Sequence, residues 1–187
     1  MNISFGLKYP PLRYITKQKI PDKLFYHKSL KLIENSDILL DEFIVFSTKN
    51  PSEYAKMRCF KTEIERDNLK HVPSLYIWTL HSSSSGQGLG TALLHFAKMY
   101  SEELGCKGFF HLSADVSWMP NKVPHIFYRK FGMSTVDSCI DSKLDKFIKK
   151  HKTASYKDFN TVDMYYPPIQ HQKGSFVSAI KELFGLK

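Results

Sequence analysis

The sequence predicts a mixed α/β or α+β sheet, crossed on one face by its first helix. Three observations predict it. The first part of the chain holds aromatic and β-branched runs separated by turn signals, the mark of antiparallel strands. A central apolar strand then gives way abruptly to a stripe with the helical period. After that, short strand-like runs alternate with two more helical patterns. Two strands joined by a helix are expected to be parallel, with a right-handed crossover. A length of 187 residues suits one domain, expected to span 1–187.

The elements follow in order. Met1 to Glu34 is interrupted by proline and is basic: Lys8, Arg13, Lys17, Lys19, Lys23, Lys28 and Lys31 face only Asp22 and Glu34. Within it "KLFYHKSLKLIE" fits a short helix or a strand equally well. "DEFIVFSTKNPSEYAKMRCFKTEIERD" reads as two strands joined at "KNPSE", where Asn-Pro signals a turn. "PSLYIWTL", Pro73 to Leu80, is apolar on both faces and is expected to be central. From Gly88, apolar residues fall at Leu89, Leu93, Phe96/Ala97, Tyr100 and Leu104, one stripe of a helix that Gly105 stops. "KGFFHLSA" is a strand. "NKVPHIFYRK" is a short helix with Pro124 in its first turn, where proline is tolerated. "FGMSTVD" reads as a strand, and "DSKLDKFIKKHK" as an amphipathic helix with Leu144, Phe147 and Ile148 inward. "TVDMYYP" is a last strand. Pro167 and Pro168 open a linker. Residues 170–187 then hold a tail helix, Ser175 to Leu186, with Phe176, Ile180, Leu183 and Phe184 on one side.

Bulk composition narrows the class. Hydrophobic content of 42% and aromatic content of 14% support a packed core and exclude a disordered chain. The net charge of +9 favours an anionic partner: nucleic acid, acidic protein or a phosphorylated cofactor. Cys59, Cys106 and Cys139 are far apart and odd in number, so neither a disulfide framework nor a zinc site is expected. The start lacks an apolar signal core, and no run reaches the roughly 18 apolar residues of a membrane span, so a cytoplasmic location is expected.

The stretch "HSSSSGQGLGTALLHFAKMY" carries the functional signal. Its serines and glycines join a buried-looking strand to a strongly periodic helix. Helix N-termini expose unpaired amides and roughly half a positive charge. Glycine lets those amides approach an anion with no Cβ in the way. Strand, glycine loop and helix start together make a phosphate site. A nucleotide P-loop is excluded, because no lysine stands in the loop. A Rossmann site wants its third glycine elsewhere and several more βα units, although Asp115 would suit a ribose.

A third option is coenzyme A. Ser85-Gly86-Gln87-Gly88-Leu89-Gly90, followed by Thr91, resembles the Q/R-x-x-G-x-G/A loop of the GNAT superfamily of acyl-CoA N-acyltransferases. About thirty residues on, Asn121-Lys-Val-Pro-His-Ile-Phe-Tyr128-Arg-Lys130-Phe-Gly132-Met133 resembles that family's N-x-x-A-x-x-[LF]-Y-x-K-x-G-F pattern. Ser85 departs from it, standing where Gln or Arg is usual, and Pro124 and Met133 replace alanine and phenylalanine. The resemblance covers Leu75 to Val136 and implies a mostly antiparallel central sheet with helices on both faces.

It also implies a chemistry: transfer of an acetyl group from acetyl-CoA to a primary amine by direct attack in a ternary complex. On that reading Leu80 and His81 offer backbone groups to the pantetheine arm. Ser85, Gly86, Gln87, Gly88, Leu89, Gly90 and Thr91 hold the pyrophosphate, and Asn121 contacts the thiol end. Tyr128 protonates the leaving thiolate, as a phenol with an ordinary pKa near 10 can do. Asn121 could also cap the helix that follows it. Glu63, Glu65, His81, His111 and Asp115 stay undistinguished as general base. Trp118 and Met119 would shape an acceptor pocket or pack in the core.

The acceptor is expected to be a small-molecule or peptide amine. Two alternatives stay open: a large anionic acceptor such as aminoacyl-tRNA, suggested by lysines near both ends, and a non-catalytic CoA-binding or interaction module on the same fold. Ser82 to Ser85 are expected to be spacer, and no metal is expected.

Overall fold

Six strands lie in one sheet in chain order: β1 (Leu24–Leu32), β2 (Leu39–Ser47), β3 (Tyr54–Arg66), β4 (Leu69–Ser82), β5 (Phe110–Ala114) and β6 (Val162–Tyr166). Three helices complete the order: α1 (Leu89–Glu103) between β4 and β5, then α2 (Pro124–Phe131) and α3 (Ser138–Lys149) between β5 and β6. The computed structural model describes residues 24–32, 39–47, 50, 52–66, 69–116, 123–150 and 158–169. The tail helix expected at Ser175 to Leu186 and the basic stretch before Leu24 lie outside them.

Every neighbouring pair is antiparallel except β4 and β5, which α1 joins in parallel. The parallel crossover and the antiparallel start match the sequence expectation. The undecided run "KLFYHKSLKLIE" is a strand, with Leu24 to Leu32 paired to β2 from Ser47 back to Leu39. Asn50 turns the chain between β2 and β3: its Oδ1 accepts from the Ser52 N–H at 3.2 Å.

The core lies where α1 crosses the sheet. Phe43 and Val45 of β2, Ala55, Met57 and Cys59 of β3, and Leu75 and Ile77 of β4 are sealed against Leu93, Phe96, Ala97 and Tyr100. Phe43 meets the Phe96 ring at 4.7 Å and the Tyr100 ring at 4.9 Å. The Tyr100 hydroxyl donates a hydrogen bond to the Asp41 carboxylate, so a buried acid is tied to the same contact. At the other end of α1, Leu104 caps the helix and Gly105 follows at φ +78°. There Lys61 Nζ donates to the Leu104 carbonyl at 2.9 Å.

Helices were expected on both faces, yet among the described residues the helix–sheet packing falls on one. Phe131 of α2 touches His95 of α1 at 4.9 Å and Phe110 of β5 at 6.2 Å, and so lies on the face that α1 covers. Central placement of β4 holds, but Trp78 on it is 47% exposed.

The expected strand at "FGMSTVD" is a single bridge between Ser134 and Tyr165. Gly132 ends α2 in the left-handed region at φ +101°, where glycine alone is unstrained. The Asp137 side chain caps α3 by accepting from the Cys139 N–H at 2.7 Å. Asp141 takes the Thr135 N–H at 2.9 Å, so too little chain is left for a ladder.

Tyr100→Phe will remove the hydroxyl donor from the buried Asp41 carboxylate. The expected loss is about 1–3 kcal/mol of stability, measured as a lower urea midpoint with an unchanged m-value.

Candidate active site at the parting of two strands

β4 and β5 share only a short ladder: Leu75, Ile77 and the residue between them pair with Phe110 to Leu112. β4 then runs on to Ser82, paired with β3 but not with β5. The cause is a register shift. Cys59 pairs with Ile77 and Arg58 with Thr79, leaving Trp78 as the extra residue of a β-bulge. A bulge bends its strand and raises its local twist. The end of β4 therefore leans away from β5, and backbone amides and carbonyls past Ile77 face the gap.

The Ser/Gly loop starts at the end of β4, beyond its last pairing with β5. Ser83 fixes it to the β2–β3 turn: its Oγ accepts from the Tyr54 N–H at 2.8 Å and donates to the Ser52 carbonyl at 3.3 Å. Ser82 Oγ donates to the Ser84 carbonyl at 2.6 Å. Ser82 to Ser85 are thus more than the expected spacer, because two of them shape and anchor the loop. Gly86 and Gly88 both adopt left-handed φ, +83° and +73°. Those values turn the chain into α1 without a strained side chain.

α1 begins with Gly88 as N-cap and has no side-chain cap and no acidic residue in its first turn. Its first internal bond runs from the Ala92 N–H to the Gly88 carbonyl at 2.9 Å. The amides of Gly88, Leu89, Gly90 and Thr91 precede that bond and have no partner inside the helix. Ser84 Oγ is also buried without a hydrogen-bond partner. Exposed glycines, unsatisfied amides and an N-terminus free of carboxylates fit a diphosphate in charge and donor count.

α2 reaches this loop from the other side. A Cβ on Gly90 would lie 3.3 Å from the Phe127 ring carbon Cζ, so α1 and α2 meet at the helix start. Tyr128, next along α2, is 8% exposed and belongs to the core cluster. Burial pushes its hydroxyl pKa up to about 12, so it is a proton donor at neutral pH. α2 takes Val123 as N-cap, with Pro124 following. Asn121, Trp118 and Met119 lie outside the described residues.

The candidate bases separate by position. Glu63 pairs with Pro73, and Glu65 follows it, whereas the loop end of β3 is Ala55 opposite Ser82. Eight residues of strand span about 27 Å, so neither glutamate reaches the loop. Glu63 instead holds His71 at 2.9 Å. Asp115 lies just past β5 and accepts from Thr161 Oγ1 at 3.0 Å. His81 is exposed near the Tyr54 ring, 6.2 Å between centroids. His111 lies on the face opposite α1, buried, with Nδ1 2.8 Å from Ser74 Oγ. Burial lowers its pKa to about 4, with Asp163 opposing, so it is a weak base.

Sequence reasoning missed three residues. Trp78, the bulge, had no signal beyond a tryptophan in a strand. Phe127, which packs the two helices together, reads only as one more aromatic. His125 is sealed, with Nε2 2.9 Å from the Asn160 carbonyl and Nδ1 without a partner. Burial lowers its pKa, so the neutral ring donates from Nε2 and pins α2 to the segment before β6.

No family model matches this chain, and no curated protein matches it.

The His111 shift fixes a pH dependence. Its folded pKa, about 4, lies below the ordinary histidine value of 6.5, so the unfolded chain takes up the proton first. Stability is then full above pH 6.5 and falls as pH drops toward 4, by up to about 3 kcal/mol from this one group. His111→Gln will flatten the stability–pH curve in that window, read by urea denaturation at pH 4.5 and 7.

Proposed function

We propose that this protein is an acetyl-CoA-dependent N-acetyltransferase, and that the parting of β4 from β5 is its reaction site. One observation carries the reading. A glycine loop and an uncapped helix N-terminus stand directly at the end of the strand that leaves its parallel neighbour. Such an arrangement holds a diphosphate outside the sheet and leads an attached chain inward along exposed backbone groups.

In this reading the amides from Gly86 to Thr91 hold the diphosphate. The backbone of Leu80 and His81, paired with β3 but not with β5, orients the arm, and the α1–α2 contact at Gly90 and Phe127 keeps water from its inner end. The bound cofactor supplies an activated acyl thioester. Holding it beside an amine accounts for much of the rate, up to roughly 7–11 kcal/mol in favourable cases. Tyr128 would give its Oη proton to the departing sulfur, and its raised pKa keeps that proton on the phenol until the transfer. Asp115 and His81 are the titratable groups close enough in sequence to the parting strands to receive the amine's proton. Asn121 would support the thiol end.

Coenzyme A will raise the melting temperature at millimolar concentration, because a ligand that binds only the folded state must stabilise it. Absence of any shift sinks the proposal. Tyr128→Phe will keep the CoA-dependent shift while losing about a hundredfold in thiol release over an amine panel. Unchanged turnover in that variant would remove Tyr128 from the chemistry.

A further inference from the structure

The sheet face turned away from α1 carries a row of rings that the proposed cofactor site does not use. Phe60 of β3, Tyr76 of β4, His111 of β5 and Tyr165 of β6 occupy directly paired positions on four adjacent strands. Their centroids are 5.3, 5.0 and 5.7 Å apart in turn, so the row is continuous. The Ser74 contact at Nδ1 fixes the His111 ring, which lies within 9° of parallel to Tyr165.

This row crosses the sheet at the point where β4 and β5 part. Trp78, next on β4, extends it. Trp78 and Thr79 together oppose Arg58 at the bulge, and both are exposed, which sets them on this same face. Asp163 of β6 pairs with Ser113 and so lies diagonally across from His111 on this face. It is exposed, and no ion pair or side-chain hydrogen bond holds it among the described residues. Its charge acts along the row: the Tyr76 hydroxyl pKa is raised by burial and then by Asp163. The neighbouring cations, Arg58 and Lys56, are taken by Glu42 at 2.6 and 3.9 Å.

Aromatic faces attract cations, and a lone carboxylate beside them selects a charged amine over an apolar guest. β4 and β6 are two strand spacings apart, about 10 Å. That is the reach of an extended aliphatic chain with an ammonium at each end, not of a single ammonium.

We propose that Tyr76, Trp78 and Asp163 form a binding site for an aliphatic di- or polyamine. Its link to catalysis rests on the acyl-transfer reading: one amine stays charged against the rings and the carboxylate while another, neutral, faces the parting strands. The acceptor class is then an amine that keeps a positive charge after acylation.

Isothermal titration calorimetry of the full chain with 1,7-diaminoheptane, whose extended nitrogens match that span, tests it at low salt, alongside a parallel titration with CoA. Saturable diamine binding is expected. Trp78→Ala and Asp163→Asn are each expected to weaken it about two- to fivefold, the worth of one exposed cation–π or charge contact. The double variant is expected to lose about four- to twenty-fivefold, the product of the two single effects. CoA affinity should be unchanged in Asp163→Asn, since Asp163 belongs neither to the loop nor to the bulge. No saturable diamine binding, or wild-type affinity in both single variants, overturns the site. Diamine binding without CoA binding overturns the acyl-transfer reading and leaves the cation site standing. CoA binding without diamine binding overturns the cation site alone.

Discussion

One constraint organises this protein: β4 pairs with β3 along most of its length but with β5 for only three residues. A parallel pair needs a crossover, and α1 supplies it. Because α1 starts where β4 ends, its N-terminus must stand over the mouth of the gap. The bulge at Trp78 opens that gap by bending β4, while β3 stays paired with it on both sides of the register shift. Loop, helix start and exposed strand backbone are therefore consequences of one irregularity in one strand.

An opened sheet needs support elsewhere, and α1 provides it. Its apolar stripe seals the face from β2 to β5, with Phe43 wedged between Phe96 and Tyr100. Lys61 satisfies a carbonyl at its C-terminus, where a cation also suits the helix dipole. The N-terminus has no equivalent partner: no cap, no acid and a run of unsatisfied amides. The asymmetry has a physical meaning. A helix held firmly at its middle and C-terminus can keep an unsatisfied N-terminus in place, at a cost that a bound anion would offset.

Much of this was legible in the sequence, and the rest was hidden for definable reasons. Strand and helix identities came through where the period was strong, as in α1, or where turn chemistry was explicit, as at Asn50. "FGMSTVD" misled because its apolar and β-branched residues look like a strand. Gly132 and Asp137, both cap residues, had already assigned its ends to helices. The glycine loop was legible because glycine is required by the backbone itself, at φ +83° and +73°. Glu63 and Glu65 stayed on the list of bases because a sequence gives no distance along a strand. The register places them at the wrong end. The aromatic row was invisible for a similar reason. Its members are far apart in the chain, and only pairing across four strands aligns Phe60, Tyr76, His111 and Tyr165.

The departure at Ser85 takes its weight from this architecture. A phosphate site built from backbone amides depends on chain path more than on side-chain identity. Ser85 is exposed, while the path through the loop is set by Ser83 on one side and by left-handed Gly86 and Gly88 on the other. On the acyl-transfer reading proposed above, a missing Gln or Arg would remove one contact and leave the cradle of amides in place. Side-chain identity matters at places where the backbone cannot act. On the helix-covered face that is Tyr128, whose burial keeps its proton in place. On the opposite face it is the pairing of aromatic rings with Asp163. Cofactor and acceptor would thus be recognised by different means from opposite sides of one sheet, meeting where its two parallel strands separate.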